Sequence, residues 1–429
     1  MKTLLQLFII LLTIHLSCIN IFAEQPDISG KAAILIDEAT GMVLYEKNAD
    51  EKLYPASITK IMTAIVAIEN GDLNQIMTAS QSAIDDIGPD GMNIGILAGE
   101  QLRHENLLNA MLIKSANEAA NIIAENLTGD RQQFIDMMNK KAKQIGTVNT
   151  NFVNASGIHH PDHYTTAADF AKIARYAMSI PKFREIVSKQ TYEMPPTNMH
   201  KEWPVLYSGN KLLYRSSEYY TQPTGIKSGF TNPAGFNLVS SAIDENGTEL
   251  ISVIMGEDSS ADLYRDSQAL LEYGFRNFKA ESLAEKDKVF KNINTKESGE
   301  NKTLDLIYSS DLQCLIPNDR SKEDIKVVQN VPDTINSSVY KGQILGYAEF
   351  YLDDQKLGKV NILASRSVEI KSSASSKKAS ESGNNSVLKV IFKIFAILIM
   401  MFIILRLSLR TISRTLKTKK QNGREIFKF

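Results

Sequence analysis

Cysteine is nearly absent from this chain: Cys18 and Cys314 are the only two in 429 residues. With an N-terminal leader removed, Cys314 alone remains, and a lone cysteine cannot close an intramolecular disulfide. The Cys/His spacing that holds zinc is missing too, so neither staples nor metal account for stability. Neither sign of charge dominates, with 48 Lys and Arg against 49 Asp and Glu, which excludes a broad basic surface for nucleic acid. The length leaves room for two domains and a large core.

Three short motifs follow one another in a fixed order: Ser57-Ile-Thr-Lys60, Ser115-Ala-Asn117 and Lys227-Ser-Gly229. Singly they carry little. Ser-x-x-Lys recurs at Ser179, Ser208, Ser338, Ser375 and Ser386, and Ser-x-Asn at Ser208 and Ser382, whereas Lys-Ser-Gly is found only at Lys227. Order and context carry the weight. Tyr54-Pro-Ala-Ser opens an apolar helical stretch that ends near Gly71, with Pro55 and Ser57 where a helix begins. Residues three apart share a helix face, so the Lys60 amine can reach the Ser57 hydroxyl.

Serine needs a group to take its proton, and lysine can do so only when neutral. Burial, a helix N-terminus and a second lysine all lower a lysine pKa, and Lys227 is the obvious second lysine. In isolation the pair would read as a capping serine and a snorkelling lysine. Ser115-Ala-Asn117 lies between two helical runs, where Ser and Asn also serve ordinary turns. Its functional reading makes Ser115 a proton relay to the leaving group and Asn117 a donor to the substrate amide. Lys227-Ser-Gly lies in a strand that returns through Asn-Pro-Ala-Gly235 and continues into Thr248–Met255, an antiparallel meander. Gly229 would let a substrate backbone approach the strand edge.

The three motifs resemble the active-site set of penicillin-binding proteins and class A β-lactamases. Longer stretches are more specific: Ala33–Asn48, Tyr54–Ala64, Thr150–Ile158 and His163–Asp169 resemble the D-alanyl-D-alanine carboxypeptidases, over roughly residues 30 to 370. One departure is Ser228, where that family usually has Thr; the hydroxyl is kept. The resemblance implies an α/β fold of the β-lactamase/transpeptidase type, an antiparallel sheet flanked by helices with an all-helical part, over residues 24–278. It implies that Ser57 attacks the penultimate D-alanine of a peptidoglycan stem peptide with Lys60 as base, and that β-lactams acylate the same hydroxyl. Ser115 would pass a proton to the departing amine, and Lys227 with Ser228 would hold the terminal carboxylate, with Arg265 a further candidate for that group. The N–H groups of Ser57 and Phe230 match the oxyanion-hole positions. No cofactor is implied. A class A β-lactamase would need a Glu to activate the deacylating water, and Asn149–Gly157 contains none. A noncatalytic wall-binding protein is a further alternative, although all three motifs retain their chemical groups. Carboxypeptidase and endopeptidase action cut the same kind of bond and stay open.

From residue 279 to 370 short alternating stretches separated by polar turns predict a small all-β domain, similar to the one that follows the peptidase in that family. The ends of the chain carry the apolar runs. Met1-Lys-Thr followed by Leu4–Ile14 reads as a secretory leader cleaved after Ala23. Residues 371–386 have the composition of a flexible stalk. Residues 387–407 are expected to form a membrane anchor helix. Its 19 residues Val387–Leu405 would reach about 28 Å, enough for a bilayer core. Lys389 and Lys393 share a face of it, so an in-plane anchor is the rival. Residues 408–429 would form a cytoplasmic tail, since eight Lys or Arg against one Glu follow from Arg406. The peptidase domain would then work on the extracytoplasmic face of the cell membrane.

Overall fold

A computed structural model describes residues 25–88, 91–215, 222–297 and 300–370. Two compact units divide at Glu369. The leader (1–23), stalk (371–386), anchor (387–407) and tail (408–429) lie outside the described residues. Among the described residues no helix is long and apolar enough to cross a membrane.

The core begins with a five-stranded antiparallel sheet. Its strands are β1 (Ala32–Asp37), β2 (Val43–Lys47), β3 (Gln222–Thr231), β4 (Gly235–Ile243) and β5 (Glu249–Glu257), in the order β2-β1-β5-β4-β3. The meander expected around Lys227 is therefore present and is closed by the N-terminal hairpin, which pairs along β5 from Ala32↔Met255 to Asp37↔Leu250. Strands β1 and β5 are buried at every position. Helices pack against them, which fits strands covered on both faces.

Between β2 and β3 the chain builds its helical part: α1 (Lys60–Asn70), α2 (Gln81–Asp85), α3 (His104–Ile113), α4 (Asn117–Thr128), α5 (Arg131–Ile145), α6 (Ala167–Met178) and α7 (Pro181–Val187). The last helix, α8 (Ser260–Asn277), packs on β4 and β5. Helix α1 is the axis of the core. Its residues Lys60 to Ala67 are all buried, so it is surrounded on every side, with Lys60 and Thr63 as its buried polar groups. The expected helix start at Ser57 differs in detail: Ala56–Thr59 form a 3₁₀ turn and the α-helix proper begins at Lys60.

From Phe278 onward the described chain is all β. Phe278–Ala284 pairs with Leu312–Pro317. A six-stranded sheet runs in the order Ile325–Asn330, Ile344–Leu352, Gln355–Ala364, Glu300–Tyr308, Val289–Glu297, Thr334–Ile335. Cys314 is buried in the first of these sheets, and burial pushes its thiol up to about 12.

Candidate active site

Three elements bring the motifs to one place: the 3₁₀ turn before α1, the turn between α3 and α4, and strand β3. They line a cleft of about 890 Å³ that contains Ser57, Ser115, Asn117, Lys227, Ser228, Gly229 and Phe230. Lys60 lies beneath, fully buried, and reaches up to the cleft floor.

The Lys60 amine has three neighbours: Ser57 Oγ at 2.9 Å, Asn117 Oδ1 at 2.7 Å and the Ser156 carbonyl at 2.6 Å. Two of these are carbonyl oxygens, which can only accept. A neutral amine satisfies them with its two N–H bonds, and its lone pair is left for the Ser57 hydroxyl to donate to. Electrostatics favour that state. Burial first, then the nearby Lys227, hold the Lys60 pKa well below its ordinary value, against an opposing pull from Glu118. Burial also lowers Lys227, to about 7.

Lys60 depends on segments that the motifs do not contain. Ser156 is presented by the stretch Val148–Gly157, which is tied down at several points. The Asp169 carboxylate accepts from the N–H groups of Val148 and Asn149 and from Thr150 Oγ1, and Thr63 Oγ1 donates to the Ala155 carbonyl. His163 supports the turn that carries Ser57. Its Nδ1 accepts from Val153 N–H, so Nε2 carries the proton and donates to Thr59 Oγ1 at 2.8 Å. Burial depresses this ring to about 3, so it stays neutral at physiological pH. Asn237 on β4 completes the frame: its Nδ2 donates to the Tyr54 and Pro55 carbonyls, and its Oδ1 accepts from Gly256 N–H.

The structure gives several of the expected residues further partners. Asn117 turns inward: Oδ1 accepts from Lys60 and Nδ2 donates to the Ile87 carbonyl at 3.1 Å, so it holds the Lys60 amine in place. Only the second Nδ2 hydrogen is free for a substrate. Gly229 answers to the chain itself, because a Cβ there would lie 2.7 Å from Ser57 N and 2.9 Å from Ile58 N. The close approach is between β3 and the 3₁₀ turn that carries Ser57. Gly157 does the same from the other side: at φ +86°, its Cβ would sit 1.9 Å from the Ala56 carbonyl oxygen. Arg265 does not line the cleft; its guanidinium pairs with Asp262 and, at 2.9 Å, with Asp266, and it also reaches Ser29.

The remaining candidates line the cleft. Ser115 adopts φ +67° between α3 and α4, and among the described residues no group hydrogen-bonds to its hydroxyl. Lys227 donates to the Ser228 carbonyl at 2.8 Å, and Ser228 Oγ donates to the Gly209 carbonyl at 3.2 Å. Phe230, half exposed, stacks on Phe236 at the rim. Among the described residues no cluster of three His, Cys, Asp or Glu could hold a metal ion.

Comparison with known proteins agrees with this geometry. Residues 20–259 match the family described as D-alanyl-D-alanine carboxypeptidase, and residues 278–370 match the C-terminal domain of penicillin-binding protein 5. The chain is similar to the D-alanyl-D-alanine carboxypeptidase DacF of Bacillus subtilis, with 28% identity over 78% of this chain and 84% of that one. It resembles the solved structure of penicillin-binding protein 5 from Haemophilus influenzae, at 26% identity and a TM-score of 0.69, covering 81% of this chain and all of that one. A D-alanyl-D-alanine endopeptidase of Pseudomonas aeruginosa matches at 29% over half of this chain and 67% of its own length. A serine–lysine pair under a cleft, on this fold and with this second domain, means that the chain belongs to the serine D-alanyl-D-alanine carboxypeptidase family of penicillin-binding proteins.

Proposed function

We propose that Ser57 is the nucleophile of this D-alanyl-D-alanine carboxypeptidase and Lys60 its general base. The observation that carries this is a fully buried Lys60 amine 2.9 Å from Ser57 Oγ, whose pKa burial and the nearby Lys227 hold well below its ordinary value. Ser57 Oγ bonds to the penultimate D-alanine carbonyl as its proton passes to Lys60. The N–H groups of Ser57 and Phe230 receive the oxyanion. Breakage of the peptide bond requires a proton on the departing nitrogen, and the free Ser115 hydroxyl relays it from Lys60. Water then attacks the acyl-enzyme, returns the Ser57 proton and releases the shortened stem peptide.

Lys227 and Ser228 hold the free carboxylate of the leaving D-alanine, and this grip distinguishes carboxypeptidase from endopeptidase action. Peptides ending in D-Ala-D-Ala with a free acid should therefore lose D-alanine at least about tenfold faster than the same peptides with a terminal amide, the loss of one charge-assisted hydrogen bond. Chromatography of the released residue measures it. Equal cleavage of acid and amide would remove Lys227 and Ser228 from that role and favour the endopeptidase reading.

The chain is further proposed to be exported and held at the cell membrane with its cleft outside. Supporting this are the leader-like Met1–Ala23 and the apolar segment that precedes eight basic residues. A tag after Phe429 should survive protease treatment of intact protoplasts. Its digestion would replace the spanning helix by an in-plane one.

A further inference from the structure

One wall of the cleft is irregular chain. Ile87, Gly88, Gly91 and Met92 line it, and residues 91–97 belong to no helix or strand. Such a stretch has no ladder of its own, so its backbone groups must find partners elsewhere. Three bonds run to the head of α4. Asn117 N–H donates to the Met92 carbonyl at 2.8 Å, Asn117 Nδ2 donates to the Ile87 carbonyl at 3.1 Å, and the Glu118 carboxylate accepts from Ile94 N–H at 2.7 Å.

Glu118 is the partner that the catalytic reading leaves without a task. It is 1% exposed, and among the described residues its Oε2 has no hydrogen-bond partner. Burial raises its carboxyl above the ordinary range, while the N–H groups of Ile94, Ile96 and Gly95 favour the ionised form. Successive amides of this kind, here bent around Gly95 at φ +86°, form a concavity for an anion, and the first turn of a helix attracts a negative charge as well. That charge reaches the base. Among the described residues Lys227 from β3, Glu118 from α4 and the neutral His163 from the chain before α6 interact with the Lys60 amine, and Glu118 alone opposes the loss of its proton.

With Ser57 and Lys60 as nucleophile and base, on which this rests, we propose that Glu118 is a positioning residue for acylation: its carboxylate pegs the irregular wall to the head of α4 and, from the same place, sets a negative charge against Lys227 at the Lys60 amine. Two substitutions separate the two tasks. E118Q keeps an oxygen for Ile94 N–H and removes the charge, whereas E118D keeps the charge and is one methylene too short to make the bond. Penicillin acylation of Ser57 in the full chain, measured against pH and drug concentration, reads both. Without the charge Lys60 gives up its proton more readily and is a weaker base. The E118Q profile should therefore cross that of wild type, faster on the acidic limb and slower on the plateau, with the half-saturating drug concentration unchanged. E118D should keep the wild-type acidic limb and raise the half-saturating concentration about five- to tenfold, the loss of one hydrogen bond. An E118Q acidic limb that coincides with that of wild type overturns the role of the charge. An unchanged half-saturating concentration in E118D overturns the peg. If a thermal melt shows E118Q unfolded, E118D decides alone, because weakened binding with a conserved limb is not what a loosened fold produces. Wild type that forms no adduct at any pH overturns the catalytic reading instead.

Discussion

Ser57→Ala is expected to abolish the covalent adduct that penicillin forms with the wild-type protein. A β-lactam presents a strained amide and a carboxylate where the natural substrate presents its last peptide bond and its terminal carboxylate. Attack by the serine opens the ring, and the leaving nitrogen stays tethered. Two other motif hydroxyls, those of Ser115 and Ser228, face the same cleft, but only Ser57 has an amine 2.9 Å away with no other place for its lone pair. Intact-mass measurement after drug treatment reads the outcome without any turnover assay. An adduct on the Ser57→Ala protein would move the nucleophile elsewhere, and wild type that never gains the drug's mass would remove it altogether.

Lys60→Arg should lower the acylation rate by about 10²- to 10⁴-fold, the usual contribution of a positioned base. The guanidinium keeps a positive charge and can still donate to Asn117 Oδ1 and to the Ser156 carbonyl. It offers no lone pair at any working pH, because arginine does not deprotonate in proteins. Circular dichroism and thermal melting should confirm that the variant is folded, since the site is wholly buried and the larger head group must be accommodated there. Acylation near the wild-type rate by a folded variant would rule out Lys60 as the base. In wild type the same chemistry sets the pH dependence. Protonation of Lys60 at low pH removes the base and gives an acidic limb. Lys227 must keep its proton to attract a carboxylate, so affinity falls as pH rises past about 7 in the free enzyme. Arginine at position 227 should push that second limb to higher pH.

The chemistry of the site was legible in the sequence because it depends on residue types that are scarce in such combinations: a hydroxyl three residues before a lysine, a polar turn, and a lysine in a strand. The meander around Lys227 was legible for a similar reason, as alternating strands and tight turns write themselves into local composition. What stayed hidden is carried by backbone atoms and by distance along the chain. The Ser156 carbonyl that holds Lys60 has no side-chain signature, so nothing in Ala155-Ser156-Gly157 announces it. The motif reading of Asn117 as a donor to the substrate amide says nothing of its other end. Its oxygen is claimed by a lysine 57 positions earlier, and only the packing of α4 against α1 decides that. Arg265 looked available until Asp262 and Asp266, on its own helix, engaged it. His163 belongs to a stretch that carries the family resemblance, yet it is a neutral prop under Thr59, which no spacing rule could supply.

The two glycines that clamp the nucleophile turn bear on how a bacterium could escape the drug. Any amino acid substituted for Gly157 or Gly229 brings at least a Cβ, and at both positions that carbon collides with backbone atoms of the turn, 1.9 Å from the Ala56 oxygen in one case and 2.7 Å from Ser57 N in the other. Resistance by target alteration needs a change that obstructs the antibiotic and spares the cell-wall peptide. Here the obstruction would fall on the serine's own main chain, which both molecules need in the same place, and an atom-scale shift of a reacting group costs about 10²-fold in rate. Selection under penicillin therefore has no useful step at these two codons, and altered susceptibility is expected to arise from the cleft's outer rim.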